Sequence, residues 1–159
     1  PQGRVYAPFP QAQIDEVVRL AKDIQARHHI KPENVLGHSD IAPGRKQDPG
    51  PMFPWKQLFD AGIIAWPDAV QVAARQADFE KNGLPDVVWV QDKLGRFGYD
   101  VPHSGVPDAK TRDVVQTFQM KYRPGNISGD LDAETAALID VATTKGGMVM
   151  AVPPATPKP

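Results

Sequence analysis

The segment "GVPDAKT" at residues 105–111 returns 24 residues later as "GDLDAET" at 129–135. Each copy sets an Asp, Asp108 or Asp132, where a helix N-cap belongs, ahead of the apolar runs "VVQTF" and "AALI". An Asp there accepts from an orphan N–H of the first turn, worth typically ~1 kcal/mol per helix. The Gly three residues earlier suits a tight turn or a positive φ. Upstream, Val87, Val88, Val90, Gln91, Leu94 and Phe97 form another stripe at helical spacing, closed by "GRFGYD". Residues 86–145 are therefore expected to make a small all-α three-helix bundle. Domains of roughly 55–65 residues can fold alone. The tail, 146–159, has little to bury its backbone with and is expected to be flexible.

The first part of the chain follows different rules. Ile14, Val17, Val18, Ala21, Ile24 and His28 share one face of an amphipathic helix over 11–29. Lys31, Pro32, Glu33 and Asn34 turn the chain, and Val35-Leu36 is expected to begin a short buried strand. "PWKQLFDAGI" at 54–63 reads as a short helix with Pro near its first position. One strand among these elements suggests the last layers of an α/β sheet, too little for a complete layered fold. Residues 67–85, bounded by Pro67 and Pro85, read as a partly helical connector.

Composition narrows the function classes. The formal net charge of −1 supplies no basic footprint for nucleic acid. No window approaches the ~18 apolar residues of a membrane-spanning helix, so no transmembrane segment is expected. Without Cys, disulfides, thiolate zinc ligands and a Cys nucleophile are excluded, while the compartment stays open. The opening "PQGRVYAPFP" lacks an initiating Met and an apolar leader, so residue 1 is expected to be a processing or cutting point.

The chemistry concentrates in "GHSDIAPGRKQDPGPMFPW", residues 37–55. Binding and catalytic groups often lie on loops held by a rigid scaffold. His38 follows Gly37 at the end of the expected strand, and Asp48 comes ten residues later, with Pro49 and Pro51 stiffening the return. An imidazole nitrogen and a carboxylate oxygen suit Zn²⁺, but a catalytic zinc takes three protein ligands and an open position. A plain hydrogen-bonded His–Asp pair is the alternative. Lys46 lies two residues before Asp48 and could stabilise an oxyanion, or be a solvated surface charge. Asp40 is expected to bond its own backbone in an Asx turn.

"VLGHSDIAPGRKQDPGPMFPW" resembles the C-terminal signature of the type 2 N-acetylmuramoyl-L-alanine amidases, the AmpD-like zinc amidases. "LGRFGYD…GVPDAKTRDVVQTFQMKYRPGNISGDLDAETAAL", with its doubled G-x-x-D-x-x-T, is similar to the three-helix peptidoglycan-binding domain. The resemblance implies the C-terminal part of an α/β zinc amidase domain at 1–66, a mixed β-sheet flanked by helices, joined through the connector to the bundle. It implies zinc held by His38 and Asp48, with Lys46 beside the scissile carbonyl; Arg45 is a further candidate, for a stem-peptide carboxylate, because a guanidinium matches that geometry. The family's other ligand His and its catalytic Glu belong upstream of residue 1; His28 and His29 are expected to pack or cap rather than replace that ligand.

The implied function is zinc-dependent hydrolysis of the amide between N-acetylmuramic acid and L-alanine, in peptidoglycan or its muropeptide fragments. That requires the N-terminal half of the amidase as a separate chain. The alternative is a non-catalytic peptidoglycan-binding fragment. The implied setting is the periplasm, with attachment to the outer membrane through a lipid anchor outside this chain. Tyr99, His103 and Tyr122 are the expected sugar contacts of the bundle.

Overall fold

A computed structural model describes residues 6–152. Seven α-helices and two short strands follow in the order α1 (Gln11–His28), α2 (His38–Ile41), α3 (Trp55–Asp60), β1 (Trp66–Pro67), α4 (Ala69–Asn82), α5 (Val87–Phe97), α6 (Ala109–Tyr122), α7 (Ala133–Thr143) and β2 (Met148–Val149). β1 and β2 pair antiparallel, with Trp66 opposite Val149 and Pro67 opposite Met148. No helix among the described residues is long and apolar enough to cross a membrane.

The expected mixed sheet is absent among the described residues: Val35-Leu36 is irregular backbone between a 3-10 turn at Pro32–Asn34 and α2. Two apolar residues cannot make a strand without a neighbour to bond, and no strand lies beside them among the described residues. The stretch expected as a three-helix bundle holds α5, α6 and α7, and both α4 and α5 pack on α7. The stretch expected as a connector thus supplies a fourth helix. Part of the expected flexible tail is the strand β2; residues 153–159 lie outside the described residues.

The repeat explains the bundle's loops. Asp68, Asp86, Asp108 and Asp132 each accept from the backbone N–H three residues on, capping α4, α5, α6 and α7. Inside the repeat, Gly105 and Gly129 adopt φ of 68° and 76°, and each donates its N–H to a buried glutamine, Gln91 or Gln119, at 2.9 and 2.8 Å. The same two amides donate to Thr111 and Thr135 at 2.9 and 3.1 Å. Each G-x-x-D-x-x-T segment is therefore a loop wrapped around one buried side-chain amide. That satisfies polar groups which would otherwise cost stability.

Two apolar clusters lie side by side. One, in the bundle, is built from residues such as Leu94, Val114, Phe118 and Ile139. The other joins Trp55, Leu58, Ile63 and Ile64 to the α1 face. Trp66 packs against both. α6 lies between them, and residues 117–122 are buried without a break. An amphipathic surface helix would show exposed positions in such a run, so α6 is covered on all sides over its last turns. α2 and α3 supply the cover opposite the bundle.

Candidate active site

The chain enters the site through Gly37. A Cβ there would stand 2.7 Å from Pro49 Cδ and 3.3 Å from the Trp55 ring, so the outgoing and returning arms of the loop meet closely only because residue 37 has no side chain. His38 is the first residue of α2, not the last residue of a strand. The Ser39 N–H donates to the Asp48 carbonyl at 3.0 Å, tying the two arms together. His38 Nδ1 and Asp48 Oδ2 are directly hydrogen-bonded. An ionised carboxylate can only accept, so the ring nitrogen donates.

Both side chains are exposed, 75% for His38 and 58% for Asp48. The hydrogen bond from His38 is the main influence holding the Asp48 carboxyl below its ordinary range; the positive charge of Lys46 adds a smaller push in the same direction. Lys46 itself is exposed and lines a groove of about 260 Å³ with Gly44, Arg112, Asp113, Gln116 and Met120. Arg45 is exposed. Its backbone N–H, like that of Lys46, donates to the Ala42 carbonyl, at 3.1 and 2.9 Å. The loop therefore pairs His38 with Asp48 and keeps Lys46 near enough for its charge to act on the Asp48 carboxyl, while Lys46 lines a groove that holds neither partner.

The donor set fits half of a zinc site. His38 Nδ1 and Asp48 Oδ2 lie against each other in that hydrogen bond, and these atom types are zinc ligands once the ring nitrogen gives up its proton. No group of three His, Cys, Asp or Glu side chains that could hold a metal ion occurs among the described residues. His28 ends α1 and His29 is its left-handed cap, φ 52°; both are exposed.

Asp40 departs from the sequence reading. It does bond local backbone, accepting from the Gly37 N–H at 2.9 Å. It also accepts from the Tyr99 hydroxyl at 3.0 Å and pairs with Lys121 Nζ at 3.1 Å. The Asp40 and Lys121 side chains are only 6% and 7% exposed. Lys121 further donates to the Val35 carbonyl at 3.4 Å and lies 4.3 Å from the Trp55 ring centroid. Burial pulls the Lys121 ammonium below its ordinary range, and the Asp40 carboxylate opposes that shift. Burial, and next the Asp40 charge, push the Tyr99 hydroxyl well above its ordinary value. A buried ion pair thus joins the loop to the bundle.

The expected sugar contacts are corrected in part. Tyr99 and Tyr122 are 7% and 8% exposed and belong to the bundle core, so their ring faces pack on protein. His103 is exposed and lines an open groove with Trp89, Asp92 and Arg96.

Comparison with known proteins places these features. Residues 2–51 match the N-acetylmuramoyl-L-alanine amidase family, and residues 83–139 a peptidoglycan binding domain. The N-acetylmuramoyl-L-alanine amidase AmiD of Escherichia coli K12 is 47% identical over 91% of this chain and 52% of its own length. The structure of AmpDh3 from Pseudomonas aeruginosa, in complex with anhydromuramic pentapeptide, superimposes with a TM-score of 0.80 at 42% identity, over 86% of this chain and 53% of that one. A complex of E. coli AmiD with the substrate anhydro-N-acetylmuramic acid-L-Ala-D-γ-Glu-L-Lys gives 0.76 at 46%, over 90% and 55%. The chain spans about half the length of these relatives. With both segments matched in order and the fold shared, the chain belongs to the N-acetylmuramoyl-L-alanine amidase family.

Proposed function

We propose that this chain supplies part of the active centre of a zinc-dependent amidase that cleaves the bond between N-acetylmuramic acid and L-alanine, and that it is catalytic only with an upstream amidase segment. The observation that carries the reading is the His38–Asp48 pair on a loop whose two arms are bonded together. The relatives' complexes with anhydromuramyl peptides support the substrate class.

In the completed enzyme, His38 Nδ1 and Asp48 Oδ2 would hold zinc. When bound, zinc would lower the pKa of a water to about 7 and polarise the carbonyl. The chain's own part is positional and electrostatic. The loop holds the imidazole and the carboxylate together before any metal arrives. Lys46 places an ammonium on the same surface, where it stabilises the oxygen of the scissile carbonyl as negative charge develops. Loss of one such donor typically costs ~2.7–4 kcal/mol in the chemical step. Arg45 offers a fork that matches a stem-peptide carboxylate.

The bundle is the part that holds peptidoglycan, which puts the working protein in the envelope; a periplasmic location with a lipid anchor outside this chain fits that role. Zinc content and release of L-alanine-ended peptide from anhydromuramyl peptides test the reading, measured on the chain joined to an upstream amidase segment. One zinc per molecule and cleavage at that amide are expected. Cleavage at any other bond would refute it.

A further inference from the structure

The bundle and the amidase loop are joined by more than a tether. α6 runs against the loop and meets it at two points. At Gly44, φ 75°, an added Cβ would stand 2.3 Å from Asp113 Oδ2, so the loop lies directly on the helix. Eight residues further along α6, Lys121 reaches Asp40 and the Val35 carbonyl. Residues 113, 117 and 121 follow one another at four-residue steps, so they share a face.

The network leads to the metal donors by short steps. Lys121 and the Tyr99 hydroxyl hold the Asp40 carboxylate, and that carboxylate holds the Gly37 N–H. Gly37 directly precedes His38, and Ser39, directly after it, holds the Asp48 carbonyl. An unpaired Asp40 charge in so buried a place would be costly, so removing Lys121 leaves a carboxyl that must shift or take a proton, and either weakens its hold on the Gly37 N–H and the turn. We propose that Lys121 is a positioning residue for the amidase centre: by fixing Asp40 it fixes the turn that aims His38 at Asp48, so the peptidoglycan-binding bundle is also part of the catalytic scaffold. This rests on the reading of His38 and Asp48 as zinc donors.

The test compares Lys121→Met and Tyr99→Phe with wild type, first in the 159-residue chain by amide hydrogen exchange. Faster exchange is expected at Gly37 and Ser39, with no change at Phe118 and Ile139 in the bundle core. A merely structural role would speed all four alike, and unchanged exchange at Gly37 and Ser39 would also overturn the proposal. In the chain completed by its upstream segment, zinc affinity is expected to fall by ~10–100-fold, the range usual for groups that orient metal ligands. At saturating zinc, kcat should fall while KM and pull-down on insoluble peptidoglycan stay the same. Wild-type zinc affinity and kcat in Lys121→Met would overturn the proposal. If Lys121→Met fails to fold, Tyr99→Phe, which removes one hydrogen bond at nearly constant volume, is judged on the same measurements. If wild type itself binds no zinc, the amidase reading fails, and the exchange rates still decide the positioning role.

Discussion

Lys46 and Asp48 stand two residues apart and are expected to fail in different ways. Asp48→Ala in the completed enzyme should abolish activity by losing the metal, measured as zinc content of the purified protein. Lys46→Ala should keep the zinc and lower kcat, because its contact is made mainly in the transition state; a rise in KM alone would assign Lys46 to substrate binding instead. Gly129→Ala tests the repeat. Its φ of 76° and the approach of the new Cβ to the Arg112 carbonyl, 2.9 Å, should together destabilise the fold by more than the ~1–2 kcal/mol of a left-handed residue, read from the urea midpoint. The meeting of His38 and Asp48 was legible in sequence because one short loop carries both. Lys121 was not, because its partner Asp40 lies 81 residues away and a lysine in a helix ordinarily faces water. Tyr99 and Tyr122 were misplaced for a related reason: aromatic residues beside loops can line a groove or fill a core, and only packing decides.

Among elements, the acid-capped helices were legible because a cap is a local event: Asp108 and Asp132 bond amides three residues away. Contacts between helices were not. α4 looks weakly amphipathic because it is held to the bundle partly by charge: Asp140 of α7 accepts from Arg75 of α4 at 2.6 Å and pairs with Lys93 of α5 at 2.8 Å. Burial raises the Asp140 carboxyl, but the hydrogen bonds from Lys93 and Arg75 outweigh it and hold the pKa below the ordinary value. A carboxyl whose folded pKa is depressed contributes stability that is fully present above its unfolded pKa. That contribution is lost as pH falls through the folded one. Wild type should therefore lose stability on acidification below the ordinary carboxylate range, and Asp140→Asn should flatten that part of the profile. At neutral pH the substitution should cost about 1.5–3 kcal/mol, the usual worth of hydrogen bonds to a charged group. Thermal unfolding across a pH series measures both. The strand expected at Val35-Leu36 failed for a converse reason, since a strand exists only by pairing, and no partner lies beside it among the described residues.

For the whole molecule, the decisive feature is that the two parts share α6, Trp66 and the β1–β2 pair. A bundle that only tethered the enzyme would raise its concentration at the wall, and its removal would spare small soluble muropeptides. The observed packing predicts otherwise. Deleting residues 86–159 takes away Lys121, α7 beneath α4 and the partner of β1, so hydrolysis of soluble muropeptides should fall together with hydrolysis of sacculi. Turnover of both substrates by the truncated enzyme measures this. The central proposal is that this chain carries part, and not all, of the metal centre. Zinc titration of the 159-residue chain, alone and then joined to its upstream segment, tests that most directly. No stoichiometric zinc is expected on the chain alone, then one tightly bound zinc and cleavage of the muramyl–L-alanine amide once the two are joined. One zinc bound tightly to the chain alone, through His28 or His29 as a third donor, would contradict it.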